Sequence, residues 1–266
     1  MQVKKARWRS TPPAIFPVLL GFMGLGIAWR NFGSIVPVAQ PIGDVLVGVS
    51  LALFIYFAAL YVAKLIREPR AGFRDAHSPP ARAGLAAFSM GVMLSSAALL
   101  PHSLLLAKIA LFGGILFHGA MIAVVSISIM RSPPEARRIS PFLLLPFVGF
   151  IVAPIAGVPL GYFLLSAVLS VISLAAFAFI TIAYVPKLLR NPPVQQLRPS
   201  VVIFLAPVAL FGLAAGQMGP SWAFVPIWLA SGVLGLAFVA FANWLGQGGW
   251  TPVWGSFTFP ATAFIN

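Results

Sequence analysis

The carboxylates and imidazoles of this sequence are Asp44, Glu68, Asp75 and Glu135 with His77, His102 and His118, seven groups spread over 266 residues. General acid–base or metal chemistry needs such groups to converge, and no two of them stand at a metal-ligand spacing. With no cysteine, disulfides, thiolate metal sites and cysteine nucleophiles are excluded. The stretch GFMGLG (Gly21 to Gly26) follows no strand pattern and is no dinucleotide fingerprint. Catalysis is therefore not expected, and neither a cofactor nor a metal is implied.

Another kind of chemistry is available. Phe16-Pro17, Leu145-Pro146, Ala206-Pro207 and Phe259-Pro260 repeat an apolar–proline pair, each a few residues into an apolar run. Proline inside a helix deletes one backbone hydrogen bond and frees a carbonyl. In lipid that carbonyl must face protein or a wet cavity. The spacing thus predicts bends at Pro17, Pro146, Pro207 and Pro260 around a shared interior.

The elements that position these prolines are membrane helices. Hydrophobic residues make up 60% of the chain and charged ones 8%, with a mean hydropathy of +1.00, more apolar surface than a soluble core can hide. Runs of about 20 apolar residues are long enough to cross a hydrocarbon layer, and they fall near 14–33, 42–66, 82–101, 104–130, 140–157, 160–187, 199–217, 222–246 and 252–266. The first run lacks a small-residue cleavage site and reads as a span rather than a signal peptide.

The net charge of +13 lies between the spans. Lys4, Lys5, Arg7, Arg9, Lys64, Arg67, Arg70, Arg74, Arg82, Arg131, Arg137, Arg138, Lys187, Arg190 and Arg198 fall on one side, and only Arg30 and Lys108 on the other. That asymmetry predicts a cytoplasmic N-terminus. It accounts for the basicity as topology, with anionic lipid headgroups as expected contacts and nucleic acid not expected.

The basic linkers REPRAGFRDAHSPPAR, RSPPEARRISP and RNPPVQQLRP resemble one another, so the chain reads as a repeated helical hairpin. The hairpins cover about 14–66, 82–130, 140–187 and 199–246, with a shortened one at 252–266. Spans 1, 5, 7 and 9 carry the proline, and span 3 has Phe88-Ser89 instead. This predicts an all-α polytopic fold: an inner ring of odd spans around a pore, glycine-rich so that backbones approach closely. Longer even spans, proline-free inside, lie outside it. Five hairpins require ten spans and nine are visible, so a tenth is expected beyond Asn266.

His118, mid-span in LFHGAM, is an intramembrane ionisable group, which is costly and often functional. Proton coupling is conceivable there, but its outer span favours an interhelical hydrogen bond. His77 and His102 read as solvated turn residues, and Gln217 and Asn243 as packing or interfacial ones. A pore built from these spans would carry no fixed charge, its polar lining being Ser89, Ser95, Ser96 and Thr258.

FPVLLGFMGLGIAW (Phe16 to Trp29) and WGSFTFPATAF (Trp254 to Phe264) resemble the tellurite-resistance, C4-dicarboxylate (malate) transporter and slow-type plant anion channel family. The resemblance implies ten helices in five hairpins with quasi-five-fold symmetry, and a homotrimer whose protomers each hold a pore. In that family a phenylalanine of span 9 closes the pore. Carried over, it is Phe259, with Phe257 the second candidate and Phe16, before the matching proline of span 1, the third. The implied function is an anion channel or channel-like permease of a bacterial inner membrane, moving small inorganic or organic anions. The alternative is a proton-coupled C4-dicarboxylate, sulfite or tellurite-related exporter.

Overall fold

The computed structural model describes residues 11–133, 137–219 and 221–266. Lys4, Lys5, Arg7, Arg9 and Glu135 lie outside the described residues. Among those described no strand forms, and nine main helices follow the predicted spans. They are α1 Pro13–Phe32, α2 Ala39–Arg67, α3 Pro79–Leu99, α4 Leu104–Arg131, α5 Pro141–Gly157, α6 Phe163–Arg190, α7 Gln195–Met218, α8 Ser221–Ala240 and α9 Thr258–Ile265. Seven are long and apolar enough to cross a membrane; α5 is shorter and α9 has eight residues.

Burial separates odd from even helices. The apolar stretch of α3 is 83% buried, that of α7 67% and that of α1 56%, whereas α2, α4 and α6 reach 22% and α8 only 6%. Hydrocarbon outside is as apolar as protein inside, so helix association here rests on close packing rather than on hiding apolar surface. The small residues of α3, Ala83, Gly84, Ala86, Ala87 and Gly91, are all buried and let neighbouring backbones approach closely.

The prolines do not kink α-helices in mid-course as the spacing predicts. Each of the four odd helices that carries one begins as a 3₁₀ stretch and switches to α winding one or two residues before the proline. The 3₁₀ stretches are Pro13–Ile15, Pro141–Leu143, Gln195–Phe204 and Pro252–Phe257, and the α stretches start at Phe16, Leu144, Leu205 and Thr258. Pro17, Pro146, Pro207 and Pro260 therefore occupy the first α turn, where a missing N–H costs little. Without the proline, α3 runs as one unbroken α-helix. In α5 a second 3₁₀ segment, Gly149–Val152, breaks the winding again. The even helices are not all proline-free: Pro186 lies inside α6 and Pro226 inside α8.

The basic face, where the odd helices begin, is held by buried polar contacts. A short helix, Ala71–Asp75, links α2 to α3. Asp75 accepts from Lys64 at 2.8 Å and from the Tyr61 hydroxyl at 2.9 Å. Arg82, 2% exposed, donates to the carbonyls of Ala76 at 2.5 Å and His77 at 3.2 Å and to the Ser132 hydroxyl at 3.3 Å. Its side chain ties this linker to α3 and to the end of α4. Arg82→Leu removes the guanidinium from the His77 carbonyl and from the buried Ala76 carbonyl, which keeps only the Ser128 hydroxyl, and is expected to cost about 1–3 kcal/mol, read as a lower unfolding midpoint in detergent; an unchanged midpoint would deny it that role. At the opposite face Arg30 donates to Asp44 at 2.5 Å and to the Ala98 carbonyl at 3.0 Å. His77, His102, Gln217 and Asn243 are exposed, as their places in the sequence suggest.

Candidate functional site

Between the odd helices lies a cavity of about 270 Å³. Every odd helix contributes to its wall: Ala14 and Pro17 from α1, Ala83 and Met90 from α3, Leu145 and Gly149 from α5, Pro207 and Leu210 from α7, and Ser256, Phe259 and Pro260 from α9 and the 3₁₀ stretch before it. No described residue of an even helix lines it. On α3 the wall extends from Pro80 to Met90, which at 1.5 Å per residue is about 15 Å, or roughly half of a hydrocarbon layer. The cavity thus reaches from the basic face toward the middle of the helices.

Its wall carries no charged side chain, and Ser256 supplies the one side-chain hydroxyl among the described lining residues. The 3₁₀ to α switches matter here. They bring proline rings and the adjacent turns of three helices to the cavity, through Pro17, Pro207 and Pro260. Pro146 stands just outside, with its neighbour Leu145 in the wall.

The gate candidates separate cleanly. Phe259 is in the wall and 7% exposed. Phe257 is not; its ring stacks on Trp254 at 4.9 Å. Phe16 is fully buried in an aromatic cluster, stacked on Phe88 at 4.5 Å and edge-on to Tyr61 at 5.6 Å and Phe54 at 6.1 Å. It clamps α1, α2 and α3 together and lies outside the wall.

The predicted polar lining is absent from the cavity. Ser89 donates to the Ala86 carbonyl at 2.8 Å, Ser95 to that of Gly91 at 2.7 Å, and Ser96 crosses to that of Ala107 on α4 at 2.7 Å. Thr258 donates to the carbonyls of Gly255 at 2.8 Å and Pro17 at 3.1 Å. A hydroxyl in apolar surroundings gains most by bonding a nearby carbonyl, so these four are satisfied within their own helix or across to a neighbour instead of lining the cavity. Ser256 and Met90 went unpredicted. A signal for Ser256 existed: it precedes Phe259 by three residues, the spacing that brings two side chains to one helical face.

His118 does bond between helices: its Nδ1 lies 2.8 Å from the Ser89 hydroxyl of α3. The ring is fully buried and edge-on to Phe150 at 4.8 Å. It presses on α5 where only glycine fits, since a Cβ on Gly149 would stand 2.6 Å from Nε2. The imidazole is thus one backbone thickness behind a wall residue of the cavity.

Among the described residues no three His, Asp or Glu side chains gather to hold a metal. What the site offers is an uncharged, apolar space between the inner helices, a shape suited to holding or passing a small solute. The model of the voltage-dependent anion channel family matches residues 10–266. The chain belongs to that family. Anion channel or transporter is thereby its general function, in a multi-pass helical membrane protein. No curated protein matches this chain.

Proposed function

We propose that the chain is an anion channel or channel-like permease whose conduction path is the cavity between the odd helices, closed by the Phe259 ring. The observation that carries this reading is the wall itself, drawn from all five odd helices with Phe259 in it. An apolar constriction of this kind excludes hydrated ions sterically and by dewetting. With no cation in the wall, selection for anions is weak and comes from the positive field of the basic face. Small inorganic and organic anions pass down their gradient. The charge asymmetry supports a bacterial inner-membrane location with a cytoplasmic N-terminus. The exposed apolar faces of α2, α4, α6 and α8 supply the surface for lipid and for neighbouring protomers of a homotrimer.

Flux from vesicles tests it. Liposomes holding the purified protein are expected to release chloride or nitrate faster than protein-free ones, with rates set by the gradient and little discrimination among anions. Release no faster than from empty liposomes, at verified incorporation, would oppose the channel reading. A second reading, a proton-coupled C4-dicarboxylate (malate), sulfite or tellurite-related exporter, has His118 behind Gly149 in its favour. It predicts that an imposed pH gradient drives malate or sulfite uphill, which a channel cannot do.

A further inference from the structure

We infer that the basic face carries a second, separate anion site, and that its occupant is the phosphate headgroup of an anionic phospholipid. Arg70, Arg74, His77 and Arg131 surround a cleft of about 600 Å³ with Phe73 in its wall. None of these residues belongs to the inner cavity.

Among the described residues the cleft holds an excess of positive charge. Of the nearby carboxylates, Glu68 accepts from Arg74 at 3.0 Å, and Asp75 is engaged by Lys64 at 2.8 Å and Tyr61 at 2.9 Å. Two carboxylates thus already have cationic partners, while Arg70 and Arg131 still face the cleft. Arg137 adds another guanidinium at the same end of α4, donating to the carbonyls of Ser132 at 2.7 Å and Met130 at 2.8 Å. Guanidinium groups converging on one space match a phosphate, which accepts their paired N–H groups.

The wall is built rather than incidental. The helix Ala71–Asp75 carries Phe73 and Arg74 and is anchored by the buried Lys64–Asp75 pair. Arg82 holds the carbonyls of Ala76 and His77. The His77 Nδ1 lies 2.7 Å from the Phe73 carbonyl, which fixes the imidazole against that helix.

Lipid is favoured over a free anion by the surroundings. Arg131 is the last residue of α4, and Met130 before it is 71% exposed; Ile66, at the matching end of α2, is 73% exposed, and Phe73 is 42% exposed. Apolar outward faces therefore lead to the guanidiniums, the order of groups met along a phospholipid from acyl chain to headgroup. A soluble phosphate would have no use for Phe73, Met130 or Ile66.

The test is the unfolding midpoint of the full chain in detergent with added short-chain phosphatidylglycerol, phosphatidylcholine or inorganic phosphate. Phosphatidylglycerol is expected to raise the midpoint well above the other two. Removing two of the three cleft guanidiniums in Arg70→Gln/Arg131→Gln is expected to cut that rise by half or more, the midpoint in phosphatidylcholine being unchanged. Lys187→Gln/Arg190→Gln, which removes equal charge from the last turn of α6, keeps the full rise. The proposal falls if inorganic phosphate stabilises as much as phosphatidylglycerol, or if both double variants lose the rise equally. Should Arg70→Gln/Arg131→Gln prove too unstable to purify, Arg131→Gln alone decides: an undiminished rise overturns the site.

Discussion

Phe259→Ala is expected to raise anion flux through the reconstituted protein by about tenfold or more, equivalent to about 1.4 kcal/mol or more off the barrier. The ring belongs to the wall of a cavity of about 270 Å³ whose other lining is proline, glycine and aliphatic side chains together with Phe142, Met90 and Ser256. On the proposed conduction path, removing it widens the space where an ion must shed water. Truncating a core phenylalanine costs about 3–5 kcal/mol because neighbours cannot close the hole. Phe259 already borders empty space, so its loss should cost less and leave the protein folded. The other two candidates supply the contrast. Phe257→Ala, which removes a ring stacked on Trp254 outside the wall, should leave flux unchanged. Phe16→Ala empties the centre of an aromatic cluster with no exposure at all, so it should lower the unfolding midpoint without raising flux. Vesicle efflux measured beside unfolding midpoints separates the three. A larger gain from Phe16→Ala or Phe257→Ala than from Phe259→Ala would reassign the gate.

That contrast also marks where sequence reasoning reaches and where it stops. The recurrent proline pairs mark the odd helices as different, and the buried odd and exposed even helices follow that alternation. Their local shape was not legible. Whether a proline bends an α-helix or opens one depends on where the α hydrogen bonds begin, and 3₁₀ winding before Phe16, Leu144, Leu205 and Thr258 leaves no periodic mark in so uniformly apolar a run. Hydroxyls failed for a related reason. Ser89 and Ser95 bond carbonyls three and four residues back, Ala86 and Gly91, an option open to any helical serine whichever way it faces. Residue type alone does not distinguish that bond from a pore lining. Arg82 counts among the loop charges that set orientation, yet it is one of the most buried large side chains in the fold. A charge at a span end can serve topology and packing together, and only the geometry of Ala76, His77 and Ser132 reveals the second role.

Gly21→Ala is expected to loosen the proposed Phe259 gate without touching the ring. A Cβ at this position of α1 would stand 2.6 Å from the carbonyl carbon and Cβ of Thr258 and 2.7 Å from the Phe259 nitrogen. These are largely backbone atoms, and carbon neighbours normally keep about 3.5–4.0 Å. Relief therefore requires α9 to retreat by about 1 Å. The retreat strains the Thr258 hydrogen bond to the Pro17 carbonyl, 3.1 Å in the native packing, and carries the next residue, Phe259, away from the cavity. Overpacking of this kind costs about 1–3 kcal/mol, so the unfolding midpoint falls while flux rises. At Gly48 of α2 an added Cβ meets nothing within 4 Å, and Gly48→Ala should leave both quantities within error. If α1 acts only by setting the depth of the Phe259 ring, Gly21→Ala adds no flux in a Phe259→Ala background, the non-additivity expected of two changes on one element. A full additive gain in the double variant would show that Gly21 holds some other part of the path, and a lower midpoint with unchanged flux would show that α9 can shift without opening it.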